Sequence, residues 1–220
     1  FSHDQLIEFA ELMQRITVRE VGNEIAHSVT NRQEGLAMCS KASKVKIEGL
    51  IIGAMLLCDT FRNPEFETLK RTRPGRYGRI LVGTSKDDTY NIDKMKNIDC
   101  IIDPSGNDIY IGGKTGPNKP VLVIIDFEGD DRYISEDGYS QGSGFFGVSI
   151  LYDIKGNDIY KAGDVSQGSA IMGVGMLVDN DGDDTYSADR RAQGSSVEGI
   201  GLLIDKNGND MYSVNLFGQG

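Results

Sequence analysis

Asp179-Asn-Asp-Gly-Asp-Asp-Thr-Tyr186 is one of five stretches of this chain that align without gaps. The others are Asp103-Pro-Ser-Gly-Asn-Asp-Ile-Tyr110, Asp126-Phe-Glu-Gly-Asp-Asp-Arg-Tyr133, Asp153-Ile-Lys-Gly-Asn-Asp-Ile-Tyr160 and Asp205-Lys-Asn-Gly-Asn-Asp-Met-Tyr212. A degenerate sixth copy is Gly83-Thr-Ser-Lys-Asp-Asp-Thr-Tyr90, and successive copies start 20, 23, 27, 26 and 26 residues apart. A second element keeps the same beat. Gln-Gly occurs at 141, 167, 193 and 219, and the first three are followed by a Gly at 147, 173 and 199. Each of those glycines leads into an apolar run: Val148–Tyr152, Val174–Val178 and Ile200–Ile204.

Each unit reads as a strand, a tight Gly turn, a short strand at the Tyr, a second bend, and then Gln-Gly leading to the next strand. No unit carries a helical period. A unit this short cannot bury its own apolar face, whereas stacked units share a continuous core. The fold expected is therefore mainly β: a parallel β-helix or β-solenoid of coils about 26 residues long. Uniform spacing argues against hairpin sheets, because the Gln-Gly stretches are not two-residue hairpin turns.

In-register stacking makes each repeated residue meet its own copy one coil away. The Gly at 106, 129, 156, 182 and 208 fits a turn position with positive φ. The Tyr at 110, 133, 160, 186 and 212 forms an aromatic ladder, and the Gln residues form an amide ladder, each bonding to the coils above and below.

The Asp positions are harder to stack. Residues 103, 126, 153, 179 and 205 form one column, and 108, 131, 158, 184 and 210 a second. Like charges about 5 Å apart repel by about 1 kcal/mol in water and by several at an effective dielectric near 20. Two solutions stand side by side. The carboxylates accept backbone N–H bonds as Asx-turns, or a hard cation sits between coils, for which calcium suits an all-oxygen ligand set. The metal candidates are Asp103, Asp108, Asp126, Asp131, Asp153, Asp158, Asp179, Asp181, Asp183, Asp184, Asp205, Asn207, Asn209 and Asp210. The turn Asp179–Asp184, with four carboxylates, leads them. The turn at Asp153 carries Lys155, which opposes a cation or replaces it.

The five segments beginning at Gly106, Gly129, Gly156, Gly182 and Gly208, each Gly-[Asn/Asp]-Asp-x-Tyr, resemble the core of RTX, hemolysin-type calcium repeats of bacterial proteins. The resemblance implies calcium held between adjacent coils by turn carbonyls and by Asp108, Asp131, Asp158, Asp184 and Asp210. It covers about five residues per coil. The period here is 26 rather than nine, and the leading Gly-Gly of that family is missing.

Residues 1–75 read as a helical cap region and 76–220 as the solenoid. Leu6, Phe9, Ala10, Met13, Ile16, Val21, Ile25 and Val29 give 4–29 a helical period, with Ser2 or Asp4 as cap. Val45–Phe61 is apolar, with helix and strand both open. The expected role is to cover the open end of the solenoid, which otherwise presents a bare parallel edge. Residues 70–79 form a basic linker that binds an anionic partner, pairs with the acidic solenoid or lies in solvent.

Charge divides the chain. Residues 1–102 hold 15 basic and 14 acidic residues, net +1, and residues 103–220 hold 8 and 19, net −11. The acidic half repels nucleic acid and attracts cations. The run Leu50–Cys58, broken by Gly53, is too short to span a membrane. The chain starts at Phe1, so a signal peptide, if one exists, is removed or lies outside this sequence. Cys39, Cys58 and Cys100 make no metal-ligand spacing, and His3 and His27 lie in the helical part. No HExxH and no P-loop is present.

The function expected is a structural or binding solenoid, calcium-stabilised, in an extracellular or envelope-associated bacterial protein. It would present a face to a protein or polysaccharide, with head-to-tail self-association and fibre formation as a further option. A carbohydrate-active enzyme is the alternative, on fold analogy alone.

Overall fold

The computed structural model describes residues 47–218. The helical period at 4–29, His3, His27, Cys39 and Gln219-Gly220 lie outside them. Within them the chain winds as the repeat predicts.

Three sheets run along the solenoid. The long sheet has seven strands: Gly75–Tyr77, Ile80–Val82, Cys100–Asp103, Val121–Asp126, Val148–Asp153, Val174–Asp179 and Ile200–Asp205. The tyrosine sheet has six: Thr89–Asn91, Ile109–Ile111, Arg132–Ser135, Ile159–Ala162, Thr185–Ala192 and Met211–Gly218. All pairings in both are parallel except the first of the long sheet. A short third sheet, Gly144–Phe145, Ala170–Ile171 and Ser196–Val197, exists only where the step between copies reaches 26 or 27 residues. The earlier steps of 20 and 23 are too short for this third side. They close through a 3-10 turn at Ile92–Lys94 and a small loop in which Gly116 pairs with Lys119.

Register follows the repeat. Asp103, Asp126, Asp153, Asp179 and Asp205 are direct partners. So are Tyr90, Tyr110, Tyr133, Tyr160, Tyr186 and Tyr212. The tyrosine rings stack with centroids 4.6 to 4.9 Å apart, and the last four pairs are within 9° of parallel. The degenerate copy at Tyr90 joins the ladder. The core between the two large sheets holds these rings against Ile101, Ile124, Leu151 and Leu177.

The glycine of each turn is required by close approach more than by its φ. Gly129 and Gly182 do not lie in the left-handed region, whereas Gly106, Gly156 and Gly208 have φ of 142°, 157° and 144°. All are packed the same way. A Cβ built on Gly156 would lie 1.5 Å from the Gly129 carbonyl oxygen, and one on Gly182 would lie 1.6 Å from that of Gly156. The coils touch backbone to backbone here, so no side chain fits.

The glutamine ladder differs from an amide-to-amide stack. Gln141 Nε2 donates to the Tyr133 carbonyl of its own coil at 2.8 Å and to that of Lys161 in the next at 3.0 Å. Gln167 repeats this with Tyr160 and Ser187. The amide staples two adjacent strands of the tyrosine sheet instead of its own copies.

The N-terminal helix is present as α1, Ile47–Phe61. It covers the flank of the solenoid. Leu50, Ile51, Ala54, Leu57, Cys58 and Phe61 pack on the outer side of the long sheet, against Val148, Ile150 and Val174. A 3-10 turn, Phe66–Arg71, follows, and Phe66 packs on Phe127 and Tyr152. The first coil is closed by the antiparallel hairpin of Gly75–Tyr77 with Ile80–Val82, a short edge carrying Arg76. Short charged edges of this kind resist further strand pairing. Most of the basic linker is spent locally. Arg76 donates to the carbonyls of Gly78, Lys96 and Asn97, Arg79 pairs with Asp99, and Lys70 lies near Glu67 and Glu128.

Gly156→Ala should cost about 3 kcal/mol or more, as overpacked core positions do, and lower the melting temperature by roughly 10 °C. Gly116→Ala, where a Cβ meets nothing within 4 Å, should leave it within about 2 °C. Circular dichroism melts of the two variants check this.

Candidate metal centre

Strand parity aims the repeated aspartates. Side chains alternate across a strand, so Asp179 points the same way as Leu177, into the core, and Asp184 the same way as Tyr186. The structure bears this out. Asp103, Asp108, Asp126, Asp131, Asp153, Asp158, Asp179 and Asp184 are buried to 1% exposure or less, and Asp205 and Asp210 are half-buried. The remaining candidates Asp181, Asp183, Asn207 and Asn209 lie on the exposed outer edge of their turns. The four carboxylates of the leading turn therefore split, two inside and two outside.

The inner column is hydrogen-bonded in a fixed pattern. The first four tyrosine hydroxyls donate to the first Asp of the following coil: Tyr133 to Asp153 and Tyr160 to Asp179, both at 2.6 Å, with Tyr90 on Asp103 and Tyr110 on Asp126. Tyr186 reverts to Asp179 of its own coil at 3.2 Å, and Tyr212 to Asp205 at 2.6 Å. The other oxygen of Asp103, Asp126 and Asp179 accepts the N–H two residues on, an Asx-turn. The second Asp of each coil accepts the backbone N–H of its counterpart one coil earlier. Asp108 N–H donates to Asp131, Asp131 N–H to Asp158 and Asp158 N–H to Asp184, at 2.6 to 2.7 Å. The degenerate coil carries Gly83 in place of the first Asp, because Tyr90 Oη and the Asp103 carboxylate fill the space a Cβ would take.

Those bonds leave oxygens over. Oδ2 of Asp108, Asp131, Asp158 and Asp184, and Oδ1 of Asp153 and Asp205, are buried with no hydrogen-bond partner. Asx-turn and backbone bonds therefore satisfy only part of the column. The carboxylates converge in five triads whose oxygens lie within 4.8 Å of one another: Asp88/Asp103/Asp108, Asp108/Asp126/Asp131, Asp131/Asp153/Asp158, Asp158/Asp179/Asp184 and Asp184/Asp205/Asp210. Each triad spans two coils. Unit charges that close repel by roughly 3 kcal/mol at an effective dielectric of about 20. Among the described residues no Lys or Arg forms an ion pair with any of them.

Burial, and then neighbouring carboxylates, push these acids up. Desolvation raises Asp103 to about 6, Asp108, Asp131 and Asp184 to about 7, and Asp158 to about 8. Asp126 and Asp153 are held well above the usual carboxylate range by the same causes.

The outer edge solves the same stacking problem differently. The residue before the second Asp runs Asp87, Asn107, Asp130, Asn157, Asp183, Asn209, acid and amide in strict alternation and all exposed. Each side chain accepts the backbone N–H of the next coil: Asp130 N–H donates to Asn107 at 3.0 Å, and Asn157 N–H to Asp130 at 2.9 Å. Asn157 and Asn209 add an amide N–H to the preceding Asp. No two charges are adjacent in this row. The inner column has no such relief, so its negative charge calls for positive charge beyond the cations of the described residues, as protons or as metal ions. Spare buried oxygens number three in the triad Asp131/Asp153/Asp158 and two in each of the triads beside it, a donor set that fits a hard cation such as calcium.

Comparison with known proteins adds no assignment: no protein-family model, curated protein or solved structure matches this chain.

With metal removed, a column whose acids titrate higher folded than unfolded is stabilised by protons. That stability is complete below about pH 4, the unfolded carboxylate value. It is lost as the pH rises through 6 to 8, where the folded groups titrate. The melting temperature in EDTA should therefore fall from pH 5 to pH 8, and Asp158→Asn should flatten that fall. Tyr160→Phe keeps the ring stack but loses the bond to Asp179. Urea denaturation should show it destabilised by about 1.5–3 kcal/mol, the range for hydrogen bonds to charged groups.

Proposed function

We propose that the chain is a structural, partner-presenting β-solenoid module whose coils are cross-linked by calcium ions at the buried aspartate triads. The observation that carries this is the set of unpartnered carboxylate oxygens, repeated coil after coil, in a core with no paired cation among the described residues. Each coil brings two buried acids, so one divalent ion per coil balances the charge. The resemblance of the Gly-[Asn/Asp]-Asp-x-Tyr turns to RTX repeats supports calcium as that ion. The ligands include the Asp108, Asp131, Asp158, Asp184 and Asp210 that the resemblance implies and add the first Asp of each coil, while Asp181, Asp183, Asn207 and Asn209 lie outside the set.

An extracellular or envelope setting in a bacterium goes with this reading, because calcium is plentiful there. The partner surface is the outer side of the tyrosine sheet, where Arg132, Ile159 and Lys161 stand exposed in register. A protein or polysaccharide is the partner class. Head-to-tail self-association would use the strands Ile200–Asp205 and Met211–Gly218, each with one neighbour in its sheet. The carbohydrate-active alternative gains nothing from the triads, since buried carboxyls do not reach a polymer.

Melts at pH 7.5 in EGTA, in millimolar calcium and in millimolar magnesium test the metal. Calcium should raise the melting temperature by 10 °C or more, the size expected when a ligand at roughly 1,000 times its Kd contributes about 4 kcal/mol. Magnesium, which needs smaller, near-octahedral sites, should do much less. Native mass spectrometry should count several calcium ions per chain, and fewer for Asp158→Asn. An unchanged melt in calcium would leave protons as the compensating charge and remove the argument for an extracellular setting.

A further inference from the structure

The helix α1 is apolar on both sides, and only one side is used. Leu50, Ile51, Ala54, Leu57 and Cys58 face the long sheet. On the opposite side Ile52 is 59% exposed and Met55 63%. Beside them lie Gly49 and Gly53, one helical turn apart, and a Cβ at either would meet nothing within 4 Å. A helix that is hydrophobic all round belongs between two layers. The glycines give a second helix room for close approach, as small residues spaced by four do elsewhere. The exposed patch continues onto the same side of the long sheet, where Leu202 and Ile204 are 38% and 39% exposed.

We propose that this face is the docking site of the chain's own segment 4–29, which lies along α1 as an amphipathic helix and makes a second layer over the flank of the solenoid. Two features select this occupant over a foreign one. Leu6, Phe9, Ala10, Met13 and Ile16 recur at helical spacing, with Glu8, Glu11, Gln14 and Arg15 between them, so the segment offers one apolar stripe of matching kind. It is also tethered. Residues 30–46 separate it from α1 and reach roughly 55 Å when extended at about 3.3 Å per residue. That is more than twice the roughly 22 Å length of a 15-residue helix. A tether of this length supplies an effective concentration in the millimolar range, which an untethered partner rarely matches. This inference is independent of the calcium reading.

Hydrogen exchange on the full chain, read peptide by peptide, tests it. In the wild type, amides of 4–29 should exchange at least tenfold more slowly than an unstructured peptide, independent of protein concentration. Ile52→Asp should return them to fast exchange while the tyrosine sheet stays protected. Met55→Glu serves if Ile52→Asp disturbs the fold. Unprotected amides in the wild type overturn the proposal, and so does protection that survives both substitutions. Protection that appears only with a dimer in light scattering assigns the face to a second copy and overturns it equally.

Discussion

Everything in this molecule follows from parallel coils stacked in register at one strand spacing. The constraint is severe because it brings each repeated residue against its own copy. Tyrosine tolerates this, since offset rings at 4.6 to 4.9 Å are attractive. Glycine tolerates it by having nothing to collide, and its carbonyl sits where a Cβ would otherwise be. Glutamine uses it to bridge two backbone carbonyls. Aspartate alone is placed at odds with its copies.

The chain shows two answers to that conflict, a few ångströms apart. On the exposed edge, where water already screens charge, acid and amide alternate and no like charges touch. In the core, where screening is weakest and repulsion largest, every coil from Asp103 onward keeps both acids. Asn at the second position would retain the acceptor for the backbone N–H, whereas at Asp103, Asp126 or Asp179 its single oxygen could serve only one of the tyrosine hydroxyl and the Asx-turn N–H. At the second position the charge and the spare oxygen are what Asn would lack, and the proposed divalent cation would use both.

Much of the fold was legible in the repeat itself. Spacing fixed the coil, the Gln-Gly runs marked the bend, and the apolar runs became strands of the long sheet. The inward aim of the aspartates was also there to be read, through parity with Leu177 and Tyr186, but a motif rich in Asp and Gly invites reading as a solvent-exposed turn. That habit placed Asp181 and Asp183 beside Asp179 and Asp184, when they fall on opposite sides of the same backbone. The reason for the glycines was hidden because a collision with the next coil leaves no trace in one coil's sequence. The position of α1 was hidden too, since an apolar segment does not say whether it covers an end or a flank.

The hydrogen bonds also give the stack a direction. The inner Asp of a later coil accepts from the backbone of the earlier one, and the outer Asx of the earlier coil accepts from the backbone of the later one. The hydroxyls of Tyr90, Tyr110, Tyr133 and Tyr160 reach forward as well. Each coil thus completes bonds that its predecessor leaves open, and a coil alone has buried acceptors and donors without partners. Such an array gains stability at interfaces rather than within units. The cost of the aspartate column and the benefit of neutralising it fall at those same interfaces. Whatever neutralises the triads must act between coils, so its effect on stability should grow with the number of coils stacked, and the inner aspartates should matter more to cohesion along the axis than to the shape of any one coil.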